Sequence, residues 1–297
     1  AWSSGSLLLL IFSGMLVLLC YLPGLKSDFH VIDDGSLVAI PQVRAAFDLE
    51  LLKTWLTPGG HVDFYPLRDF SYWLDVHLFG GSASGVDGTV FRLQNFTWVF
   101  AAAAFIRLIL LRIRIPDPAA SVVASLWLVH PVHSELLMWV AARKDCMAMA
   151  LGLAAVHFFL RYLDEARRRW GVLALAAFLM SLLSKTSLAL LPWCVPWIAW
   201  RVPESRMRLL RAGSWAVWGS ALLVGLAVSF AQSRFYSDVN DMRFFYTWNY
   251  RLSGVLAAFG RMWAGWFLPR YNAIDVENWG EWARLHSRFI PVGVFSF

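Results

Sequence analysis

The chain has 297 residues, of which 59% are hydrophobic and only 15% are charged, a balance far from that of soluble globular proteins. The formal net charge of +6 does not indicate a nucleic-acid partner, because the cations fall in short segments between apolar runs, where membrane topology explains them. Three cysteines, Cys20, Cys146 and Cys194, lie in or beside apolar runs, and their odd number argues against a disulfide framework. The composition therefore predicts an integral membrane protein.

Apolar runs predict an all-α polytopic fold with seven or eight membrane helices. The runs are residues 5–23, 90–111, 119–129, 146–160, 170–183, 187–200, 214–231 and, with a weaker signal, 252–268. The first run has neither a basic flank nor a small-residue cleavage site, so it predicts a retained helix and not a signal peptide. We expect one membrane domain over residues 1–297, with both ends of the natural chain truncated.

The loop between the first two runs, residues 24–89, carries nine of the chain's twenty acidic residues. Within it, segments 37–55 and 67–79 repeat apolar residues at near-helical spacing. Such spacing predicts amphipathic helices that lie on the membrane surface. The loop is therefore expected to be a folded extracytoplasmic layer and more than a connector.

Basic residues between the apolar runs predict the orientation of the chain. They cluster in three short segments at every second crossing, residues 112–114, 161–169 and 201–211. The positive-inside rule places these segments in the cytoplasm. The acidic loop, segment 130–145 and Lys185 then face the opposite side of the membrane, which predicts that separate parts of the sequence meet there.

Segment 130–145 is the most unusual stretch, because it places ionisable groups between two strongly apolar runs. It contains two histidines, two carboxylates and two cations: His130, His133, Glu135, Asp145, Arg143 and Lys144. Such groups are costly in hydrocarbon, so the cluster predicts a functional site. Pro131 suits the first turn of a helix, on which His130 and His133 would share a face. On a straight helix Arg143 would lie about three turns further on, roughly 15–20 Å away.

Five motifs resemble one family in their order and spacing. They are Asp33-Asp34-Gly35-Ser36, Phe64-Tyr65-Pro66-Leu67 followed by Phe70-Ser71-Tyr72-Trp73-Leu74-Asp75, Phe91-Arg92-Leu93-Gln94-Asn95, His130-Pro131-Val132-His133-Ser134-Glu135 with Trp139 and Arg143-Lys144-Asp145, and Leu183-Ser184-Lys185-Thr186. Together they are similar to bacterial multispanning proteins related to the transmembrane O-mannosyltransferases that modify cadherins, which belong to the GT-C class of glycosyltransferases. The resemblance covers roughly residues 30–200.

The resemblance implies a GT-C-like helical bundle that acts as an inverting glycosyltransferase. Such an enzyme moves a sugar, for example mannose, from a polyprenyl-phosphate carrier to an acceptor, a protein Ser/Thr hydroxyl or a glycan. It would lie in the bacterial inner membrane, with its active site on the periplasmic side and membrane lipids around it. Two departures stand out: many relatives read Tyr-Arg-Pro-Leu at 64–67, and many continue into tetratricopeptide repeats, which these 297 residues do not contain.

The resemblance also implies roles for individual residues. An acidic residue just after the first membrane helix is the catalytic base of the class, and Asp33 and Asp34 hold that position here. Cations on the outer face would bind the donor phosphate, and it stays open whether Arg68 replaces the missing motif arginine; the candidate set is Arg143, Lys144, Lys185 and Arg68. A polar network around the substrate would comprise His130, His133, Glu135, Tyr65 and Asp145.

Each of these residues also has a structural interpretation. Asp33 and Asp34 precede a glycine, as in a turn or a helix cap, and the cations could anchor helix ends. A metal site is the weaker interpretation, because Glu135 follows His133 by two residues and would point away from it on a helix. No metal is therefore assigned, although a requirement for a divalent cation stays open. Two other functions also remain: a transporter of lipid-linked substrates, and a non-catalytic subunit of a larger membrane complex.

Overall fold

The computed structural model describes residues 4–27, 34, 41–57, 65–79, 88–200, 208 and 212–239. About 90% of these residues are helical, and none of them lies in a β-strand. The all-α prediction is therefore confirmed for this part of the chain. The α-helices are α1 (Ser4–Tyr21), α2 (Pro41–Arg44), α3 (Leu49–Leu56), α4 (Pro66–Phe79), α5 (Gly88–Arg112), α6 (Asp117–Val129), α7 (Ser134–Met138), α8 (Arg143–Glu165), α9 (Arg168–Ser184), α10 (Leu191–Trp200) and α11 (Ala212–Val239).

Among the described residues, four helical segments are long and apolar enough to cross a membrane, as judged by length and composition: Gly5–Lys26, Gly88–Arg112, Val140–Glu165 and Gly213–Phe230. The helix Asp117–Val129 is apolar but shorter. The predicted runs 170–183 and 187–200 correspond to α9 and α10, which have 17 and 10 residues. The run 252–268 lies outside the described residues. The chain is a membrane protein by these helices, and the total of seven or eight spans stays a prediction.

Several apolar clusters hold the described helices together, and two of them join the long helices. The first joins α1, α5 and α6 through residues such as Leu10, Val99 and Leu128. The second packs α8 against α5, α9 and α10, and Leu160 is one of its buried members. By contrast, α1 exposes large apolar side chains, among them Phe12 with 65% of its surface. A surface of this kind is suited to hydrocarbon.

The described parts of the acidic loop are mostly helical, and the position of these helices at a membrane surface stays a prediction. Segment 67–79 falls within α4, whereas the described part of segment 37–55, residues 41–55, is divided between α2 and α3. The division has a local cause: the side chain of Asp48 accepts the backbone N–H of Leu51 at 2.7 Å and caps the start of α3. Within this layer Trp55 is buried and packs edge-on against Phe70 of α4, with ring centroids 5.8 Å apart.

The chain divides into two compact units, Ala1–Tyr236 and Ser237–Phe297. All features described below lie in the first unit. Whether residues 1–297 form one functional domain stays a prediction.

Candidate functional site

The carboxylate of Asp34 lies against the backbone at the start of the helical segment Val140–Glu165. Its Oδ1 accepts the backbone N–H of Ala141 at 2.8 Å, and its Oδ2 accepts that of Val140 at 3.3 Å. The side chain is fully buried. Because the first N–H groups of a helical segment have no partner within it, this carboxylate acts as a cap from a distant part of the chain. Asp33, the other predicted base, lies outside the described residues.

Arg143 is the centre of a buried polar cluster. Its Nε donates to Oδ1 of Asn95 at 2.8 Å, and its Nη1 donates to Oγ of Ser71 at 2.6 Å. Its Nη2 donates to the carbonyl of Phe91 at 2.9 Å and lies 2.8 Å from Oδ2 of Asp75. Every guanidinium nitrogen thus has a protein partner, and the side chain is fully buried. Arg143 could bind a donor phosphate only by giving up one of these partners.

Tyr72 and Asp75 of α4 connect this cluster to the loop. The hydroxyl of Tyr72 donates to the carbonyl of Val140 at 2.9 Å, and the guanidinium of Arg143 lies 5.0 Å from the centre of its ring. Burial raises the pKa of Tyr72 above its usual range. Burial also raises the pKa of Asp75, while the charge and hydrogen bond of Arg143 lower it. The carboxylate of Asp75 therefore depends on Arg143 for its charge to be tolerated.

Tyr65 contacts two of the predicted phosphate-binding cations. The guanidinium of Arg68 is 5.1 Å from the centre of the Tyr65 ring, and the ammonium of Lys144 is 5.4 Å from it. Both contacts are within the range of cation–π attraction. Arg68 is buried, and its Nε and Nη2 both lie 2.8 Å from Oδ1 of Asp69. Lys144 is only half-buried, so it is more accessible to a ligand than Arg68.

Lys185 pairs with Asp145 at the edge of the same region. Its Nζ is 2.6 Å from Oδ1 of Asp145, and the two side chains are 29% and 33% exposed. The pair joins the end of α9 to the first turn of α8. Partly solvated ion pairs contribute little net stability, so Lys185 can exchange its partner for another anion at small cost.

The two predicted histidines lie close together, whereas Glu135 is exposed. The His130 and His133 ring centroids are 6.5 Å apart, and Nδ1 of His130 accepts the backbone N–H of Val132 at 3.2 Å. His133 packs against Trp127, with 4.3 Å between ring centroids. Burial lowers the pKa of His133 to about 4, although the backbone of Trp127 acts in the opposite direction. A neutral, packed imidazole is therefore expected at neutral pH.

The expectation of one straight helix from Pro131 through Arg143 is wrong. A 3₁₀ turn, Pro131–His133, leads into α7, and the backbone of Trp139 is extended, with φ −84° and ψ 114°. A second 3₁₀ turn, Val140–Ala142, then leads into α8. The carboxamide of Asn95 stabilises the break, because its Nδ2 donates to the carbonyls of Leu136 and Trp139 at 3.1 and 2.9 Å.

Sequence reasoning did not single out Arg92, Asn95, Ser71 and Asp75 as members of the site. Arg92 is buried and donates to the carbonyls of Leu25 at 2.7 Å, Ser27 at 2.6 Å and Met138 at 2.9 Å. It thereby ties the 3₁₀ turn that follows α1, Leu22–Lys26, to the end of α7. The sequence did contain a signal for two of them: Arg92 and Asn95 lie inside the apolar run of α5, where polar groups without partners are costly.

No group of three or more His, Cys, Asp or Glu side chains in the described parts of the chain could hold a metal ion. Whether the protein requires a divalent cation stays open. Comparisons with protein-family models, curated proteins and solved structures find no match to this chain. The GT-C resemblance thus depends on the five motifs alone and stays a prediction.

Proposed function

We propose that this chain is a membrane glycosyltransferase of GT-C type. It would transfer a sugar from a polyprenyl-phosphate carrier to an acceptor hydroxyl on the non-cytoplasmic face, with inversion at the anomeric carbon. A single observation supports the proposal best: four motif segments that are far apart in sequence contact one another. Asp34, α4, the first turns of α5 and the start of α8 are joined by the hydrogen bonds of Asp34 and Arg143.

The proposal assigns donor binding to the accessible cations of this region. Lys144 and Lys185 are both partly exposed, and they flank the buried cluster from neighbouring helix ends. A phosphate between them would replace Asp145 as the partner of Lys185 and form charge-assisted hydrogen bonds. Arg143 and Arg68 are positioning residues in this scheme, since each is buried and engaged with a carboxylate.

The base of the reaction is assigned to the pair Asp33 and Asp34. A base must take the acceptor's proton as its oxygen attacks the anomeric carbon. In the described state both oxygens of Asp34 accept backbone N–H groups, so Asp34 could act only after a local rearrangement. Asp33 lies outside the described residues, and the two carboxylates are tested separately below.

The burial of Asp34 and Arg143 also favours a second candidate, a non-catalytic subunit of a larger membrane complex. Both side chains are fully buried and bonded to protein groups, as expected of a structural scaffold without chemistry. The two candidates differ in a measurable property. A transferase binds and consumes a polyprenyl-phosphate sugar, whereas a scaffold does neither.

The test is donor binding and sugar transfer by the purified protein in lipid nanodiscs. Radiolabelled polyprenyl-phosphate sugars are the donors, and Ser/Thr-rich peptides and glycans are the acceptors. Lys144→Gln and Lys185→Gln should each raise the dissociation constant for the donor about tenfold or more, the scale of one charge-assisted hydrogen bond. Lys53→Gln is the matched control, because Lys53 belongs to an exposed ion pair with Glu50 on α3. Unchanged donor affinity in both variants would remove the assigned phosphate site.

A further inference from the structure

A cavity of about 590 Å³ lies where α5 and α8 end. Among the described residues, its polar lining is Arg112, Arg114, His157, Arg161 and Asp164, and two leucines of α5 also line it. Arg161 is 18 residues after Arg143 on the same helix, a distance of about 27 Å at 1.5 Å per residue. The cavity is therefore separate from the site proposed for sugar transfer.

Cations outnumber carboxylates around this cavity. In the described part of the chain, three arginines line it against one carboxylate, that of Asp164. Nη1 of Arg112 lies 2.7 Å from Oδ2 of Asp164. The next carboxylate along the helix, Glu165, is 2.5 Å from Nε of Arg161 and 3.9 Å from Nη2 of Arg112. Two carboxylates thus hold Arg112 and Arg161 in place, and the described lining contains more arginines than carboxylates.

The lining arginines are positioned by further contacts. The guanidinium of Arg161 stacks over the ring of Trp170, 3.7 Å from its centre. Arg208 donates to the backbone carbonyls of Leu163 and Asp164 and so fixes the end of α8. Guanidinium groups held in this way present planar donor forks, the arrangement that binds phosphate oxygens well.

The buried position of His157 beside the cavity is not explained by the stabilisation of helix ends by cations. Its side chain lines the cavity with only 6% of its surface exposed, and its Nδ1 has no hydrogen-bond partner among the described residues. Positively charged side chains near the C-terminus of a helix offset the negative end of the helix dipole. This effect accounts for one arginine at the end of α5 and one at the end of α8. That effect requires neither a cavity nor a buried imidazole beside it. An anion bound in the cavity would lie against the arginines and beside this imidazole.

We propose that this cavity binds a phosphate group, carried either by an anionic phospholipid headgroup or by a soluble phosphate compound. Basic pockets between membrane helices bind lipid headgroups in this way, and the leucines of the lining would adjoin the acyl chains. The proposal is independent of the transferase function, since it involves none of the residues assigned to sugar transfer.

The test is equilibrium binding to the purified protein in a non-ionic detergent. The probes are dihexanoyl phosphatidylglycerol, dihexanoyl phosphatidylcholine, glycerol 3-phosphate and inorganic phosphate. The double variant Arg112→Gln/Arg161→Gln should weaken binding of the anionic probe by at least about tenfold. Arg168→Gln is the control, because it removes a nearby exposed cation that does not line the cavity.

A second variant keeps the test informative if the double variant fails to fold. Arg114 lies in the turn after α5, so Arg114→Gln removes a lining cation and leaves the pairs of Arg112 and Arg161 intact. Tight binding of phosphatidylglycerol alone would identify a lipid site, and equally tight binding of glycerol 3-phosphate would identify a soluble ligand. Equal affinity in Arg114→Gln, the double variant and Arg168→Gln, or no binding of any anionic probe, would overturn the proposal.

Discussion

Asp34 and Ala141 are 107 positions apart in the chain, and the carboxylate of the first accepts the backbone N–H of the second at 2.8 Å. The contact ties the acidic loop to the start of the helical segment Val140–Glu165. A residue selected as a catalytic base is thus also a structural cap. Measurements of both the stability and the activity of Asp34 variants distinguish these two roles.

Asp34→Ala should lower the free energy of unfolding by about 1–3 kcal/mol, because it leaves two buried N–H groups without an acceptor. Asp34→Asn should lower it less, since the carboxamide oxygen still accepts one of the two bonds. Titration with sodium dodecyl sulfate in mixed micelles measures the change. If Asp34→Ala is as stable as the native protein, the cap is not a stabilising contact.

Arg143→Met should be among the most destabilising substitutions in the described region. It leaves the carboxylate of Asp75 buried without a counter-ion, and breaking a buried pair from one side costs about 3–5 kcal/mol. Adding Asp75→Asn should recover part of this loss, which a double-mutant cycle measures. Lys53→Met, in an exposed ion pair, should change stability by less than about 1 kcal/mol. Additive effects of the two buried substitutions would contradict the pairing.

The main helices could be predicted from the sequence, whereas the break at Trp139 and the burial of Arg143 depend on contacts between distant parts of the chain. Long apolar runs place the main helices, because length and hydropathy are local properties. The break at Trp139 is not local: residues 136–142 contain neither Pro nor Gly, and the bonds that stabilise the break come from Asn95 and Asp34. For the same reason Arg143 could be identified as important but not as buried, since its partners lie on α4 and α5.

His133 should make the protein less stable as the pH falls. Its pKa is about 4 in the folded state and about 6.5 in the unfolded chain, so the unfolded state binds more protons between these values. The free energy of unfolding should therefore fall as the pH is lowered from about 6.5 toward 4, by at most about 1.4 kcal/mol per pH unit. His133→Gln should flatten this dependence.

The pH effect of Asp75 has the opposite sign. Its raised pKa favours the folded state at low pH, and that contribution is lost as the pH rises through the folded pKa. The comparison of His133→Gln with the native protein isolates the histidine contribution. An unchanged slope between pH 4 and 6.5 in the variant would show that His133 is not buried as a neutral group.

The orientation of the chain is tested by cysteine labelling in a background without Cys20, Cys146 and Cys194. A cysteine at position 82 or 134 should react with a membrane-impermeant thiol reagent in intact cells, and one at position 205 should not. The expectation follows from the three basic segments, which the positive-inside rule assigns to the cytoplasm. Labelling of position 205 alone would reverse the orientation and place the Asp34–Arg143 region in the cytoplasm.

Sugar transfer by the purified protein tests the proposed function most directly. Labelled polyprenyl-phosphate sugars are supplied with acceptor peptides or glycans, and turnover is compared among the native protein, Asp33→Asn and Asp34→Asn. A transferase should label the acceptor, and loss of its general base should reduce turnover about 10²–10⁴-fold in at least one variant that retains its fold and donor affinity. Full turnover in both variants would contradict the assignment of the base to this pair, and no transfer by the native protein with any donor would contradict the transferase proposal itself.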